Sequence, residues 1–248
     1  MDPVVLITGA SRGIGAATAR LAAKRGWAVC VNYLKNRDAA EAVVADVEKA
    51  GGRAVAVAAD VASEADIVRL FKQCDQALGP VTALVNNTGI LERQIRVENI
   101  DSARLNRILT TNVTGSFICA REAMRRMSTK HGGKGGAIVN VSSAASRIGS
   151  PGEYVDYAAS KGAIDSLTIG LSKEVATEGI RVNAVRPGVI YTEIHAAGGE
   201  PGRVDRVKGS VPMQRGGRPE EVAEAIVWLM SPESSYCTGI FIDVTGGR

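Results

Sequence analysis

Tyr157 and Lys161 stand four residues apart within residues 156–178, a stretch whose composition and apolar spacing favour a helix, so the two side chains share one face. A free phenol titrates near ~10 and is a poor acid–base group at neutral pH, whereas an adjacent ammonium stabilises the phenolate and draws that value down. Lys161 would supply that charge, making Tyr157 a candidate proton donor and acceptor. A solvated amphipathic face is the plainer reading of any such pair. Tyr154 is a rival phenol, but its partner four positions on is Ala158, which carries no charge, so Tyr154 reads as a pocket or surface residue.

A second constellation opens the chain. Residues 4–7 form a continuous apolar run of strand length, as expected of a parallel strand buried on both faces, and a first strand is predicted over 4–8. Gly9, Gly13 and Gly15 then remove side chains where a tight turn enters a helix, predicted over 14–25 and stopped by Gly26. The free backbone N–H groups and positive dipole end at that junction suit a pyrophosphate. The spacing is Gly-x3-Gly-x-Gly rather than Gly-x-Gly-x-x-Gly, and an ordinary strand-to-helix connection is the alternative.

The second strand, predicted over 27–33, ends in Asn32, Tyr33, Leu34, Lys35, Asn36 and Arg37, with no acid before Asp38. A carboxylate there would accept hydrogen bonds from an adenosine ribose and repel a 2′-phosphate. Lys35, Arg37 and Arg12 offer cations instead, so NADP(H) is favoured over NAD(H), with solvated loop cations as the plain alternative.

Further strand-like runs at 54–59, 81–85, 137–141, 182–185 and 240–244 alternate with helical patterns. This predicts an α/β fold with a doubly wound parallel sheet. Ser63 with Asp66 reads as a helix start, residues 77–80 as a helix stop, and Pro219 as the first turn of a helix to residue 230. The 248 residues suffice for one α/β core and contain no long linker, so residues 1–248 are read as a single domain. Residues 191–218 form an irregular insertion with several glycines and little periodicity.

The net charge of +4 is modest and the cations are dispersed, which argues against a nucleic-acid partner. Cys30, Cys74, Cys119 and Cys237 are widely spaced in apolar stretches, form no metal-type pair and read as buried reduced thiols; no metal site is expected. No apolar run reaches membrane-spanning length and the first strand begins almost at once, so a cytoplasmic protein is expected.

Taken together these motifs resemble the short-chain dehydrogenase/reductase family from end to end. The resemblance rests on residues 8–15, Asp60 with Val61, Asn86-Asn87-Thr88-Gly89, Thr111-Asn112-Val113, Ser142-Ser143, Tyr157 with Lys161, and Arg186-Pro187-Gly188 followed by Thr192. It implies a Rossmann fold and hydride transfer between a nicotinamide and a carbonyl or secondary alcohol. It also implies a catalytic set of Asn112, Ser143, Tyr157 and Lys161. In that set the serine and Tyr157 hydroxyls bind the reacting oxygen, Tyr157 moves the proton, Lys161 also holds the nicotinamide ribose and Asn112 organises a water relay. The implied cofactor wall comprises Gly9, Ser11, Arg12, Gly13, Ile14, Gly15, Asn32, Tyr33, Lys35, Asp60, Val61, Asn87, Thr88 and Gly89. Tyr157, Lys161, Pro187, Gly188, Val189, Ile190 and Thr192 complete it.

Two departures stand out. Thr88 replaces the alanine usual in the family, a change expected to be tolerated. Ser143 lies 14 positions before Tyr157, one more than is usual. Matching from the strand assigns Ser143 to the catalytic place, with Ser142 as the alternative and the extra residue within 150–156. The pattern resembles 3-oxoacyl-acyl-carrier-protein reductases and equally sugar and small-alcohol dehydrogenases, glucose dehydrogenase-like members among them. Arg121, Arg125, Arg126, Lys130 and Lys134 are candidate docking cations for an acidic acyl carrier protein near the active-site rim. The resemblance makes residues at about 190–218 a mobile substrate lid, in which His195, Glu193, Arg203 and Arg206 are candidate substrate contacts. A homotetramer is implied by the resemblance, with extra apolar positions at 109–127 and 163–175 permitting it. A catalytically silent NADP(H)-sensing regulator is the competing idea from another class, against which the complete catalytic set argues.

Overall fold

A computed structural model describes residues 2–248. Seven parallel strands form one sheet: β1 Val4–Ile7, β2 Ala28–Tyr33, β3 Ala54–Ala58, β4 Ala83–Asn86, β5 Gly136–Val141, β6 Ile180–Pro187 and β7 Phe241–Val244. Their spatial order is β3-β2-β1-β4-β5-β6-β7, the doubly wound arrangement expected from the sequence. Register pairs Leu6 with Cys30 on one side and Leu84 on the other.

Helices cover both faces because successive strand residues point to opposite sides. Val5, Ile7, Val29, Val31, Val139 and Val185 pack beneath α1 (Gly13–Lys24), α2 (Arg37–Lys49) and α10 (Pro219–Met230). Val4, Leu6, Cys30, Leu84, Ile138 and Val182 face α3 (Glu64–Leu78), α5 (Gly115–Met127) and α7 (Val155–Glu174). Strands with both faces buried therefore read as unbroken apolar runs. The remaining helices are short: α4 (Ser102–Leu109), α6 (Ala145–Ile148), α8 (Ile194–Ala197) and α9 (Arg203–Val207). The last two lie in the lid, which has more regular structure than its sequence suggested.

Several boundary signals act as read. Ser63 Oγ accepts from the N–H of Asp66 at 3.3 Å, capping α3, and Gly79 ends it with a φ of 104°. Asp66 does not return a bond to Ser63; its carboxylate accepts from the N–H of Asp60 instead, which fixes the turn after β3. The helix predicted over 156–178 starts one residue earlier and ends at Glu174, followed by a separate tight turn over Ala176–Glu178.

Two features escaped the sequence. Thr110–Thr114 form a π turn joining α4 to α5, so the chain there carries one residue more per turn than an α-helix and re-aims Asn112. Cys30 and Cys74, far apart in sequence, are neighbours in the core. The Cys30 thiol is held well above its ordinary value, first by Cys74 and then by burial; all four cysteines are free, but Cys237, expected to be buried, is only half-buried.

The topology also places the candidate docking cations. Helix α5 runs back from the π turn toward the start of β5 at Gly136, so Arg125, Arg126, Lys130 and Lys134 lie toward the N-terminal edge of the sheet. The cleft described below lies at the opposite edge. Moreover Arg121 pairs with Glu64 and Glu122, Arg125 with Glu122, Arg126 with Asp75 and Glu122, and Lys130 with Glu178. Four of the five candidate cations are thus engaged in ion pairs within the protein.

Candidate active site

The C-terminal ends of six strands surround a cleft of about 1260 Å³. Gly9 to Ile14 after β1, Asn32 to Asn36 around the end of β2, Ala59 to Ala62 after β3, Asn87 to Leu91 after β4, Val141 to Ala145 after β5 and Pro187 to Ile190 after β6 supply its walls. A ligand crevice is expected at this edge, where the winding reverses between β1 and β4.

The glycine loop is shaped for close approach. Gly9 and Gly13 adopt φ of 62° and 53°, backbone that favours glycine. A Cβ on Gly15 would lie 2.6 Å from Asn87 Nδ2 and 2.7 Å from the Gly9 carbonyl oxygen. Asn87 Nδ2 donates to the carbonyls of Thr8 and Gly9, and Asn32 Oδ1 accepts from the N–H of Gly9. The loop is thereby fixed with the N-terminus of α1 facing the cleft, where a dinucleotide pyrophosphate fits.

Of the sequence-assigned cofactor residues, Gly9, Ser11, Arg12, Gly13, Ile14, Tyr33, Lys35, Asp60, Val61, Asn87, Thr88 and Gly89 line the cleft. Pro187, Gly188, Val189, Ile190 and Thr192 do too. Gly15 stands behind the wall as a packing residue. Asn32 touches the cleft, but its amide is committed: Nδ2 donates to the carbonyls of Val57 and Ala59. Arg37 turns away toward Glu41, 3.5 Å distant. Thr88 Oγ1 is buried without a hydrogen-bond partner beside Gly9, the one visible consequence of having threonine there.

At the other end of the cleft, α7 meets the end of β5. Lys161 Nζ donates to the Val141 carbonyl at 2.7 Å, and this bond holds Tyr157 opposite the residues that follow β5. Asp156 Oδ1 accepts from the N–H of Tyr157, while Asp156 Oδ2 accepts from Arg104 Nε at 2.6 Å in a buried ion pair that clamps the start of α7 to α4. No local motif announces that pair, whose members lie 52 residues apart.

The two serines differ in what their hydroxyls bond. Ser142 is buried, donating through Oγ to Asp165 Oδ1 at 2.6 Å and lying 3.3 Å from the Lys161 carbonyl. Ser143 lies on the cleft wall and is the side chain whose interaction favours the Tyr157 phenolate, although the two form no hydrogen bond of ordinary length. Its Oγ accepts from the N–H of Ala145 at 3.1 Å. Both serines border the cleft, but the Ser142 hydroxyl is committed to Asp165, whereas Ser143 is the one that interacts with Tyr157.

Electrostatics differ from the sequence expectation. Lys161 was to lower the Tyr157 pKa; in the folded chain burial pushes the phenol up to about 12, and Ser143 pulls only weakly the other way. The ammonium is 5.6 Å from the Tyr157 ring centroid and bonded to a backbone carbonyl. Burial also draws Lys161 down to about 8, with Asp165 opposing. Desolvation thus outweighs charge pairing at both groups. Asp165, one turn beyond Lys161, also accepts from Arg186 Nη2 at 2.9 Å. Its four-residue spacing from Lys161 was the available signal for this support.

Asn112 is fully buried and does not line the cleft. Its Oδ1 accepts from the N–H of Ile90 at 2.8 Å, and its Nδ2 donates to the Ile90 carbonyl and to Ser160 Oγ. It therefore fastens the loop after β4 to α7.

The lid closes one side. Arg203 and Arg206 both pair with Glu153 and Glu200, and Gln94 donates to Glu200. Arg206, then Arg203, holds the Glu200 carboxyl at about 2. Glu153, Tyr154, Glu193, His195 and Arg203 all line the cleft, whereas Arg206 does not. Glu153 and Leu91 were not singled out in the sequence because nothing in their surroundings distinguishes them from ordinary loop residues.

Among the described residues no cluster of metal-binding side chains occurs, and no helix is long and apolar enough to cross a membrane. A family model described as enoyl-(acyl carrier protein) reductase matches residues 9–248. The chain is 62% identical over 245 residues to an uncharacterized oxidoreductase, YgfF, of Escherichia coli, covering 99% of each. It is 37% identical to a 3-oxoacyl-[acyl-carrier-protein] reductase of Synechocystis, covering 98% of this chain and 96% of that one. A solved double mutant of a Serratia marcescens short-chain dehydrogenase/reductase superposes with a TM-score of 0.90 at 33% identity, covering 99% of this chain and 97% of that one. With its seven-stranded parallel sheet, glycine-rich loop and Ser-Tyr-Lys wall, the chain belongs to the short-chain dehydrogenase/reductase family of oxidoreductases.

Proposed function

We propose that this protein is an NADP(H)-dependent reductase of small carbonyl compounds, the reaction being reversible toward the secondary alcohol. The observation that carries this reading is the convergence of Ser143, Tyr157 and Lys161 on one wall of a cleft whose far end is a pyrophosphate cradle. A bound nicotinamide would supply or accept the hydride. Gly9, Ser11, Gly13 and Ile14 would hold the pyrophosphate, and Asp60 and Val61 would border the adenine. Preference for the 2′-phosphate is supported by a wall of Asn32, Tyr33, Leu34, Lys35 and Asn36 with Arg12 nearby and no acid among them.

The protein's own residues then handle the oxygen. Ser143 and Tyr157 bind it, and Tyr157, protonated at neutral pH, gives it a proton as the carbonyl carbon is reduced. Lys161 keeps α7 in register with β5 through Val141 and presents a cation beside the phenol. Asn112 serves as a positioning residue, through Ile90 and Ser160.

A free small molecule is preferred to a carrier-bound acyl chain because the candidate docking cations lie at the far edge of the sheet and are largely paired. Leu105, Phe117 and Ile169, exposed on α4, α5 and α7, support a homotetramer built on those helices. Sedimentation of a monomer alone would contradict that assembly. The buried free thiols support a reducing, cytoplasmic setting.

The test follows NADPH oxidation against ketones, diketones, quinones, sugar lactones and acetoacetyl thioesters, with NADH and Tyr157→Phe as controls. Expected are NADPH-dependent turnover of free carbonyls and loss of most of it in Tyr157→Phe, with NADPH binding retained. Full activity in that variant refutes the role of Tyr157, tighter NADH binding refutes the cofactor preference, and turnover of thioesters alone redirects the substrate. Tight NADPH binding with no turnover of any carbonyl would favour the regulator.

A further inference from the structure

Arg186, near the end of β6, opens the Arg186-Pro187-Gly188 motif, yet its two followers line the cleft and Arg186 itself does not. Its guanidinium is 16% exposed, stacks 3.9 Å from the centroid of the Phe241 ring on β7, and gathers two carboxylates. Nε and Nη2 donate to Asp165 Oδ2 at 3.1 and 2.9 Å, and Nη1 lies 3.7 Å from Asp243 Oδ1. Each acid holds a second partner. Asp165 Oδ1 accepts from Ser142 Oγ at 2.6 Å, and Asp243 Oδ2 pairs with Arg147. Ser142 immediately precedes Ser143, and Arg147 lies on α6, which begins two residues after it. Ser143 is therefore flanked in the chain by two side chains that converge, each through one acid, on a single guanidinium.

The clamp spans the elements that the reaction needs in register. Asp165 lies on α7, one turn beyond Lys161 and about two turns beyond Tyr157. The backbone ladder fixes the end of β5 against β6: the N–H of Ser142 donates to the Val185 carbonyl and that of Ala144 to the Pro187 carbonyl, each at 2.9 Å. Toward α7 the ties are side-chain bonds, from Lys161 to the Val141 carbonyl and from Ser142 to Asp165. Ser143 and Tyr157 form no hydrogen bond of ordinary length with each other, so this framework sets their separation. An uncharged side chain in place of Arg186 would leave two carboxylates facing each other, and like charges repel. Asp243 would follow Arg147 and α6 while Asp165 stayed with Ser142, so the two flanks of Ser143 would part. Arg186 and Asp165 are both largely shielded from water, and salt screens such a pair little.

We propose that Arg186 is a positioning residue of this oxidoreductase: through Asp165 with Ser142 on one side and Asp243 with Arg147 on the other, it holds Ser143 at the distance from Tyr157 at which both hydroxyls reach one carbonyl oxygen. This rests on the reductase reading above, which gives that oxygen to Ser143 and Tyr157, and deepens it. Arg186 acts through Ser143 alone, and the hydride and proton movements remain those already given.

The test is a double-mutant cycle of Arg186→Met with Ser143→Ala, assayed with NADPH and the ketone or diketone that the parent reduces fastest. Arg186→Met should lower kcat about tenfold while KM for NADPH stays within about twofold. In the Ser143→Ala background the same substitution should change kcat by less than about twofold, because the hydroxyl that it misplaces is already gone. An unchanged kcat in Arg186→Met, a loss matched by weakened NADPH binding, or an equal loss with and without the Ser143 hydroxyl overturns the proposal and leaves the reductase intact. If Arg186→Met does not fold, Arg147→Gln and Asp243→Asn, at side chains 60% and 33% exposed, each remove one arm of the clamp. Each should lower kcat about threefold, and only while Ser143 is present; no effect, or one independent of Ser143, overturns the proposal. If no ketone is turned over, the reductase reading fails and the clamp is judged by amide hydrogen exchange of Arg186→Met, or of Arg147→Gln where the former does not fold. Faster exchange across residues 142–149 with β1 and β2 unchanged supports it, and parent-like exchange there, or loosening throughout the chain, overturns it.

Discussion

Lys161→Met in the cofactor-free protein offers a direct measure of what burial imposes on the catalytic wall. The Lys161 ammonium falls from 10.5 to about 8 on folding, so between those values the unfolded chain binds more protons than the folded one, and this group's contribution makes stability rise with pH. At pH 7 the charged lysine therefore destabilises the fold by about 3 kcal/mol, at about 1.4 kcal/mol per pKa unit. By pH 10 the folded amine is neutral and only about 1 kcal/mol remains. Methionine has a similar length and no charge. It also abandons the bond to the Val141 carbonyl, a loss of about 1 kcal/mol that is the same at both pH values. The variant should thus be about 2 kcal/mol more stable than the parent at pH 7 and about equal to it at pH 10. Urea unfolding at the two pH values, followed by the fluorescence of Trp27 and Trp228, gives the comparison. Other titrating groups are shared by both proteins and cancel. A stability difference that does not change with pH would refute the claim that desolvation governs Lys161.

Two further outcomes follow from the support around the cleft. Asn112→Ala removes three buried hydrogen bonds and should cost about 3 kcal/mol of stability, with turnover falling because the loop at Ile90 is released; an unchanged unfolding midpoint would show that these bonds do not hold the loop. Glu200→Gln weakens the hold of Arg203 and Arg206 on the lid, so KM should rise severalfold and proteolysis within residues 198–215 should quicken while NADPH affinity holds. Because these pairs are partly exposed, 0.5 M salt should move the parent in the same direction, and indifference of the lid to both would remove the latch from the account.

The features legible in the sequence are those set by local physics. Strands buried on both faces favour apolar residues, so the strands read from runs such as residues 4–7, and even the half-buried edge strand β7 shows as a mostly apolar run at 240–244. Glycines at 9, 13 and 15 declare a junction where side chains would collide, Ser63 and Pro219 announce helix starts, and a four-residue spacing puts Tyr157 and Lys161 on one face. Tertiary packing decided the rest. Ser142 and Ser143 are chemically identical neighbours, and only the position of Asp165 and Tyr157 on α7 commits one hydroxyl to a carboxylate and leaves the other beside the phenol. The cations of α5 look available in one dimension, but Glu122 on the same helix and Glu64 and Asp75 on α3 pair with them in the fold, and the run of α5 toward β5 carries most of them to the far edge of the sheet. The direction of the Tyr157 shift was likewise beyond the sequence. A neighbouring ammonium can be read from spacing, whereas desolvation depends on everything folded around the phenol, and here burial exceeds the influence of the neighbour.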